Sequence, residues 1–136
     1  MIHLDTTVTI ALLNGQPPQV RTHFDAARDA GIPVGLSSIV YHELMHGAAA
    51  SARRRANEEK IALFIASGRI TLLAFDEADA GEAADIRAHL RRQGTPIGPF
   101  DVLTAAQARR AGTVLVTANT SELARVPGLQ ALDWSA

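Results

Sequence analysis

An α/β fold built on a parallel sheet follows from three features of this 136-residue sequence. Short apolar runs recur along it, each only long enough for a buried strand. Segments with helical spacing of apolar residues separate them, as right-handed βαβ crossovers require. The first run, Met1-Ile2-His3-Leu4, ends on Asp5, and open parallel sheets place their ligand sites at the carboxyl ends of strands.

Ile2 to Leu4 is the first strand. Val8 to Leu13 reads as a short helix, ended by Asn14-Gly15 and Pro17-Pro18. Val20, Phe24, Ala27 and Ala30 keep the spacing of a second helix, and Gly31 stops it. The second strand is Ile32 to Leu36, after which Ser37 or Ser38 caps a helix from Ile39 to Ala50. An amphipathic helix over Arg53 to Ser67 closes at Gly68. A third strand spans Ile70 to Phe75, and Asp76 caps a long helix to Gln93 that is acidic at its start and arginine-rich at its end, as the helix dipole favours. Gly94 ends it, and Thr95 to Pro99 is a loop. Pro99 begins the next helix with Asp101 in its first turn; Ala105 and Ala108 on its inner face let it lie close against the sheet. Thr113 to Thr117 is the fourth strand, Ala118 to Glu122 a loop or helix start, and Leu129 to Trp134 a last short strand. One domain covering residues 1–136 is the expectation, since a chain of this length buries enough surface for one core.

Composition removes several function classes. The absence of cysteine excludes disulfides, thiolate zinc sites and cysteine nucleophiles. No apolar run approaches the roughly 20 residues of a membrane span, and the start lacks a signal peptide's basic flank, so a cytoplasmic protein is expected. The net charge is −1, but setting aside Asp5, Glu43, Asp101 and Glu122 leaves ten acids against thirteen bases. Arg53 to Arg55, Arg91-Arg92 and Arg109-Arg110 are the visible clusters. They read either as a basic shell suited to a polyanion or as ordinary solvated helix faces.

The acids carry the chemistry. Burying Asp5 without a partner is costly, so the fold must bring it a cation, donors or a raised pKa. At about 100° per residue from Ile39, Glu43 falls near 40° and Leu44 near 140°, so Glu43 lies within its helix's apolar arc and points inward. Asp101 sits at a helix start near strand ends, and Asn119 and Glu122 follow the fourth strand. Hard oxygen donors without cysteine favour Mg2+ or Mn2+ over zinc. Such an ion polarises a phosphoryl oxygen and acidifies water, the requirement for phosphodiester hydrolysis.

Four segments carry a resemblance: LDTT at Leu4 to Thr7, YHELMHGA at Tyr41 to Ala48, PIGPFDVLTAAQA at Pro96 to Ala108, and LVTANTSELARVPGL at Leu115 to Leu129. In these the chain resembles the PIN domain of VapC-type ribonuclease toxins, over essentially its whole length. The resemblance implies a PIN-like α/β/α sandwich with a parallel sheet of four to five strands. It also implies metal-dependent cleavage of RNA, a small cognate antitoxin as partner, and a homodimer. By position, Asp5, Glu43 and Asp101 match the family's metal-site acids. Asn119 stands where many members have aspartate, so it is expected to hold water while Glu122 adds charge from farther out. Thr7 occupies a position often filled by Asn or Ser, and with Thr6 it is expected to orient Asp5 or a substrate phosphate.

Two rival readings stand beside this one. The altered fourth position could leave a catalytically weak module that binds RNA or antitoxin. Separately, His42-Glu43-Leu44-Met45-His46 is a literal H-E-x-x-H, in which two histidines bind zinc and the glutamate is a general base. A zinc protease needs a third protein ligand, however, and gives Asp5 and Asp101 no role. His3, His23 and His89 belong to no motif.

Overall fold

The computed structural model describes all 136 residues. Five parallel strands form one sheet in the order β3-β2-β1-β4-β5. They are β1 (Ile2–Leu4), β2 (Val34–Ser37), β3 (Thr71–Leu73), β4 (Val114–Val116) and β5 (Gln130–Leu132). The helices are α1 (Thr6–Asn14), α2 (Pro18–Asp29), α3 (Ser38–Ala50), α4 (Arg54–Ser67), α5 (Glu77–Arg92), α6 (Pro99–Ala111) and the single turn α7 (Thr120–Leu123). From β1 the chain builds outward through β2 to β3, then returns to the other side of β1 for β4 and β5. The order therefore reverses between β1 and β4, and loops at their carboxyl ends splay apart to open a crevice there.

Two apolar cores cover the two faces of the sheet. Leu4, Phe24, Leu36, Val40 and Trp134 belong to the layer with α1 to α4; Ile86, Leu90, Ala105, Ala108 and Leu115 belong to the layer with α5 and α6. Ala105 and Ala108 are completely buried, and the small faces expected from their spacing do bring α6 onto the sheet. Full burial of each leucine contributes about 1.5–3 kcal/mol before chain entropy is charged against it.

The expected strands were too long at their starts, for one physical reason. Gly31 and Gly112 adopt left-handed backbone (φ 75° and 68°), and the N–H groups of Ile32 and Thr113 then donate back to Ala27 and Ala108. Those N–H groups complete helix stops and are unavailable to the sheet, so pairing begins at Val34 and Val114. Arg69 takes the same left-handed conformation (φ 54°), and Ile70 donates to Ile65 rather than entering β3. Conversely, α1 begins at Thr6, two residues earlier than its apolar pattern indicated, because Asp5 caps it directly.

Candidate active site at the carboxyl edge of the sheet

Asp5 does two jobs at the end of β1. Its backbone N–H donates to Val116 O (3.0 Å), tying it to β4, while its side chain caps α1. Val8 N–H and Thr7 Oγ1 both donate to Asp5 Oδ1, at 3.0 and 2.8 Å, so the cap occupies one carboxylate oxygen. Only 5% of Asp5 is exposed, and burial raises its pKa above the usual carboxylate value; bonds from Thr117, Val8 and Thr7 hold it back in part.

Glu43 comes from the second turn of α3 and is half-buried, as its place on the helix predicts. Thr6 Oγ1 donates to Glu43 Oε1 at 2.7 Å. Thr6 therefore orients Glu43 and not Asp5, because α1 starts at Thr6 and successive side chains on its first turn diverge; Thr7 alone serves Asp5. Asp101, in the first turn of α6, is the meeting point. Its pKa is raised first by burial and then by the charges of Asp5, Glu43 and Glu122, with the Asn119 amide offsetting part of the rise. Acids from four separate elements thus repel one another across one crevice.

Beyond β4, Thr117 Oγ1 accepts the N–H of Asn119 (2.9 Å), and Asn119 Nδ2 donates to Glu122 Oε2 (2.9 Å). The amide holds the outer acid beside Asp101. Thr117, fully buried, was not singled out from sequence; a threonine closing a strand just ahead of the Ala118-Asn119 turn was the available signal.

No arginine or lysine pairs with these acids: every ion pair of the chain lies elsewhere. Arg109 and Arg110 of the supposed basic shell pair with Glu82 and with Asp76 and Asp79, and Arg54 and Arg55 with Glu58 and Glu59 on their own helix. Arg109 and Arg110 are thus tied down between α5 and α6, whereas Arg54 and Arg55 lie on a solvated helix face, as the plainer of the two readings has it.

The donor set fits a hard divalent cation, although no three His, Asp or Glu groups are drawn into a ready cage. Repulsion among uncompensated carboxylates favours such an open arrangement, and Mg2+ needs only one or two carboxylates because it retains several waters. Zinc in a protease requires three closely placed protein ligands, so the same arrangement counts against the H-E-x-x-H reading. His42 and His46 stack on each other, with ring centroids 6.4 Å apart, on the exposed side of α3.

Comparison with known proteins bears on the family and the fold. The family model described as the PIN domain matches residues 2–129. The chain belongs to the PIN-domain family. Within it, the protein is 39% identical over 132 residues to the tRNA(fMet)-specific endonuclease VapC of Shigella flexneri, spanning 97% of this chain and 96% of that one. It is 34% identical over 131 residues to ribonuclease VapC2 of Haemophilus influenzae, covering 96% of each. Among solved structures, DNA-bound VapBC from Salmonella typhimurium superposes with TM-score 0.88 at 34% identity, covering 98% of this chain and 97% of that one. The VapBC2 complex of Rickettsia felis, bound to a promoter DNA fragment, gives TM-score 0.90 at 27% identity, covering 98% and 99%. PIN-domain membership and the parallel α/β/α architecture expected from the sequence are both borne out.

Proposed function

We propose that this protein is a divalent-metal-dependent endoribonuclease, the toxin of a type II toxin–antitoxin pair, and that Mg2+ or Mn2+ is its metal. The observation that carries the reading is the cation-free convergence of Asp5, Glu43, Asp101 and Glu122 at the switch point of a PIN fold. Asp5, Asp101 and Glu43 would hold the ion, with Asn119 and Glu122 as outer members. When bound, the ion supplies Lewis-acid polarisation of the scissile phosphate and acidifies water. The chain's own part is to position: Thr7 and the Val8 amide fix Asp5, Thr6 fixes Glu43, and Asn119 fixes Glu122. No side chain is needed as a covalent nucleophile.

RNA as substrate and an antitoxin as partner are supported by the relatives, which are named ribonucleases and were solved as VapBC complexes. A groove of about 200 Å3 between α1, α3 and α4, with Ile10, Leu13, Leu44 and Ile61 on its apolar side and Asn57 and Lys60 on its polar side, includes Glu43 in its lining and gives an antitoxin a place to block the site. No helix is long and apolar enough to cross a membrane; a cytoplasmic location belongs to this reading because its substrate would be cellular RNA. Pairing of two copies belongs to the same reading and is checked by analytical ultracentrifugation.

The deciding experiment is cleavage of tRNA(fMet) and bulk RNA by purified protein with Mg2+ or Mn2+, against an EDTA control. Metal-dependent cuts that vanish in Asp5→Asn and Asp101→Asn support the reading. RNA binding without such cuts would instead favour the catalytically weak binding module.

A further inference from the structure

Phe100 is out of place for a residue whose only duty is to fold the chain. It is 43% exposed on the first turn of α6, immediately before Asp101, and it packs into neither apolar core. Its one aromatic neighbour is His42, whose ring centroid lies 5.8 Å away at an interplanar angle of 50°. His42 in turn immediately precedes Glu43 and stacks on His46 at 6.4 Å and 22°. Phe100, His42 and His46 therefore form a line of exposed rings across the gap between α6 and α3. Two of the three are sequence neighbours of acids that repel each other across the crevice.

This placement rests on the ribonuclease reading and deepens it. A single-stranded RNA whose phosphate reaches the acids presents its bases to whatever flanks them, and unstacked bases are held on aromatic and histidine faces. We infer that Phe100, backed by His42, is a stacking platform for an RNA base next to the cut phosphate, with His46 extending it along α3. Stacking suits every base, so the platform supplies affinity and position rather than sequence choice. It also supplies attraction that the acids cannot, since without a cation they repel phosphate.

The test is fluorescence anisotropy of a short, unstructured, labelled RNA in EDTA, where cleavage does not intervene. Losing one stacked base weakens binding by about 5- to 150-fold, and Phe100→Ala is expected to fall in that range. Phe100→Leu should lose as much, being apolar but not planar, while Phe100→Trp keeps wild-type affinity. His42→Ala should show a smaller loss. With metal added, Phe100→Ala should raise KM with kcat within about twofold, because stacking contributes to ground state and transition state alike. The inference is overturned if Phe100→Ala or Phe100→Leu binds RNA as the wild type does, or if wild type shows no affinity. It is equally overturned if the loss tracks a change from dimer to monomer in ultracentrifugation, which would make Phe100 a contact between copies. Failure of metal-dependent cleavage with Phe100-dependent binding intact would instead remove the nuclease reading and leave the platform standing.

Discussion

Asp5 and Asp79 are buried to nearly the same degree, 5% and 4% exposed, yet the fold treats them in opposite ways. Asp79 sits on α5 with Arg110 Nε donating to its Oδ1 at 2.8 Å, and it shares a reciprocal capping box with Asp76. Asp76 has its pKa lowered, first by the Asp79 backbone N–H and then by Arg110 among other contributions. At the carboxyl edge of the sheet no cation appears, and Asp5 and Asp101 have theirs raised. Asp76 and Asp79 meet an arginine; the acids of the crevice meet none. A fold that keeps uncompensated carboxylates together accepts an instability that an exogenous cation relieves.

The two groups of acids should differ most in catalysis. Asp5→Asn and Asp101→Asn should each reduce metal-dependent RNA cleavage by about 10²–10³ or more, while far-ultraviolet circular dichroism stays native. Asparagine caps helices as well as aspartate, so Asp5→Asn isolates the charge from the cap. Asp79→Ala should do the reverse. Loss of its bonds to Arg110 and to the Asp76 N–H should cost about 1–3 kcal/mol, read from the urea midpoint, with cleavage per folded molecule unchanged.

A smaller effect sharpens the outer part of the site. Asn119→Ala frees Glu122 and should weaken Mn2+ binding about tenfold by calorimetry, whereas Asn119→Asp adds a charge and should tighten it.

The smallest effect is in pH dependence, where the two clusters have opposite signs. With pKa values raised in the folded state, Asp5 and Asp101 bind protons more tightly there than in the unfolded chain, so their contribution to stability falls as pH rises from the ordinary value of 3.8 through the raised one. Asp76, lowered, contributes stability above 3.8 that is lost as pH falls through its folded value. In EDTA, Asp101→Asn should therefore raise Tm relative to wild type by a margin that grows as pH rises from 3.8 through the raised folded value of Asp101 and is constant above it, and Asp76→Asn should lower it by a margin that shrinks toward acid. Saturating Mn2+ should reverse the first difference, since wild type gains more from the ion than a variant lacking one of its acids; at 100 times Kd the wild-type gain is about 2.7 kcal/mol.

Much of this site could be read from the chain itself. Asp5 at a strand end, Glu43 within an apolar arc and Asp101 after Pro99 each declared a position relative to the sheet, and Asp76 declared itself a cap. Pairing partners could not be read. Thr6 serving Glu43 depends on α1 starting at once after β1, and Arg110 meeting Asp79 across 31 residues depends on how α5 lies against α6. The strand starts were misjudged because Ile32, Ile70 and Thr113 are apolar or β-branched and look like strand, while their N–H groups are bound by helix stops. Phe100 went unremarked inside a matching segment because exposure is a tertiary property.

Anomalous diffraction from crystals soaked in Mn2+ would show which side chains the ion chooses. A peak within about 2.6 Å of carboxylate oxygens of both Asp5 and Asp101 is the predicted result. A peak held instead by His42 and His46 or by Asp76 and Asp79, or none in the crevice at saturating Mn2+, would contradict it.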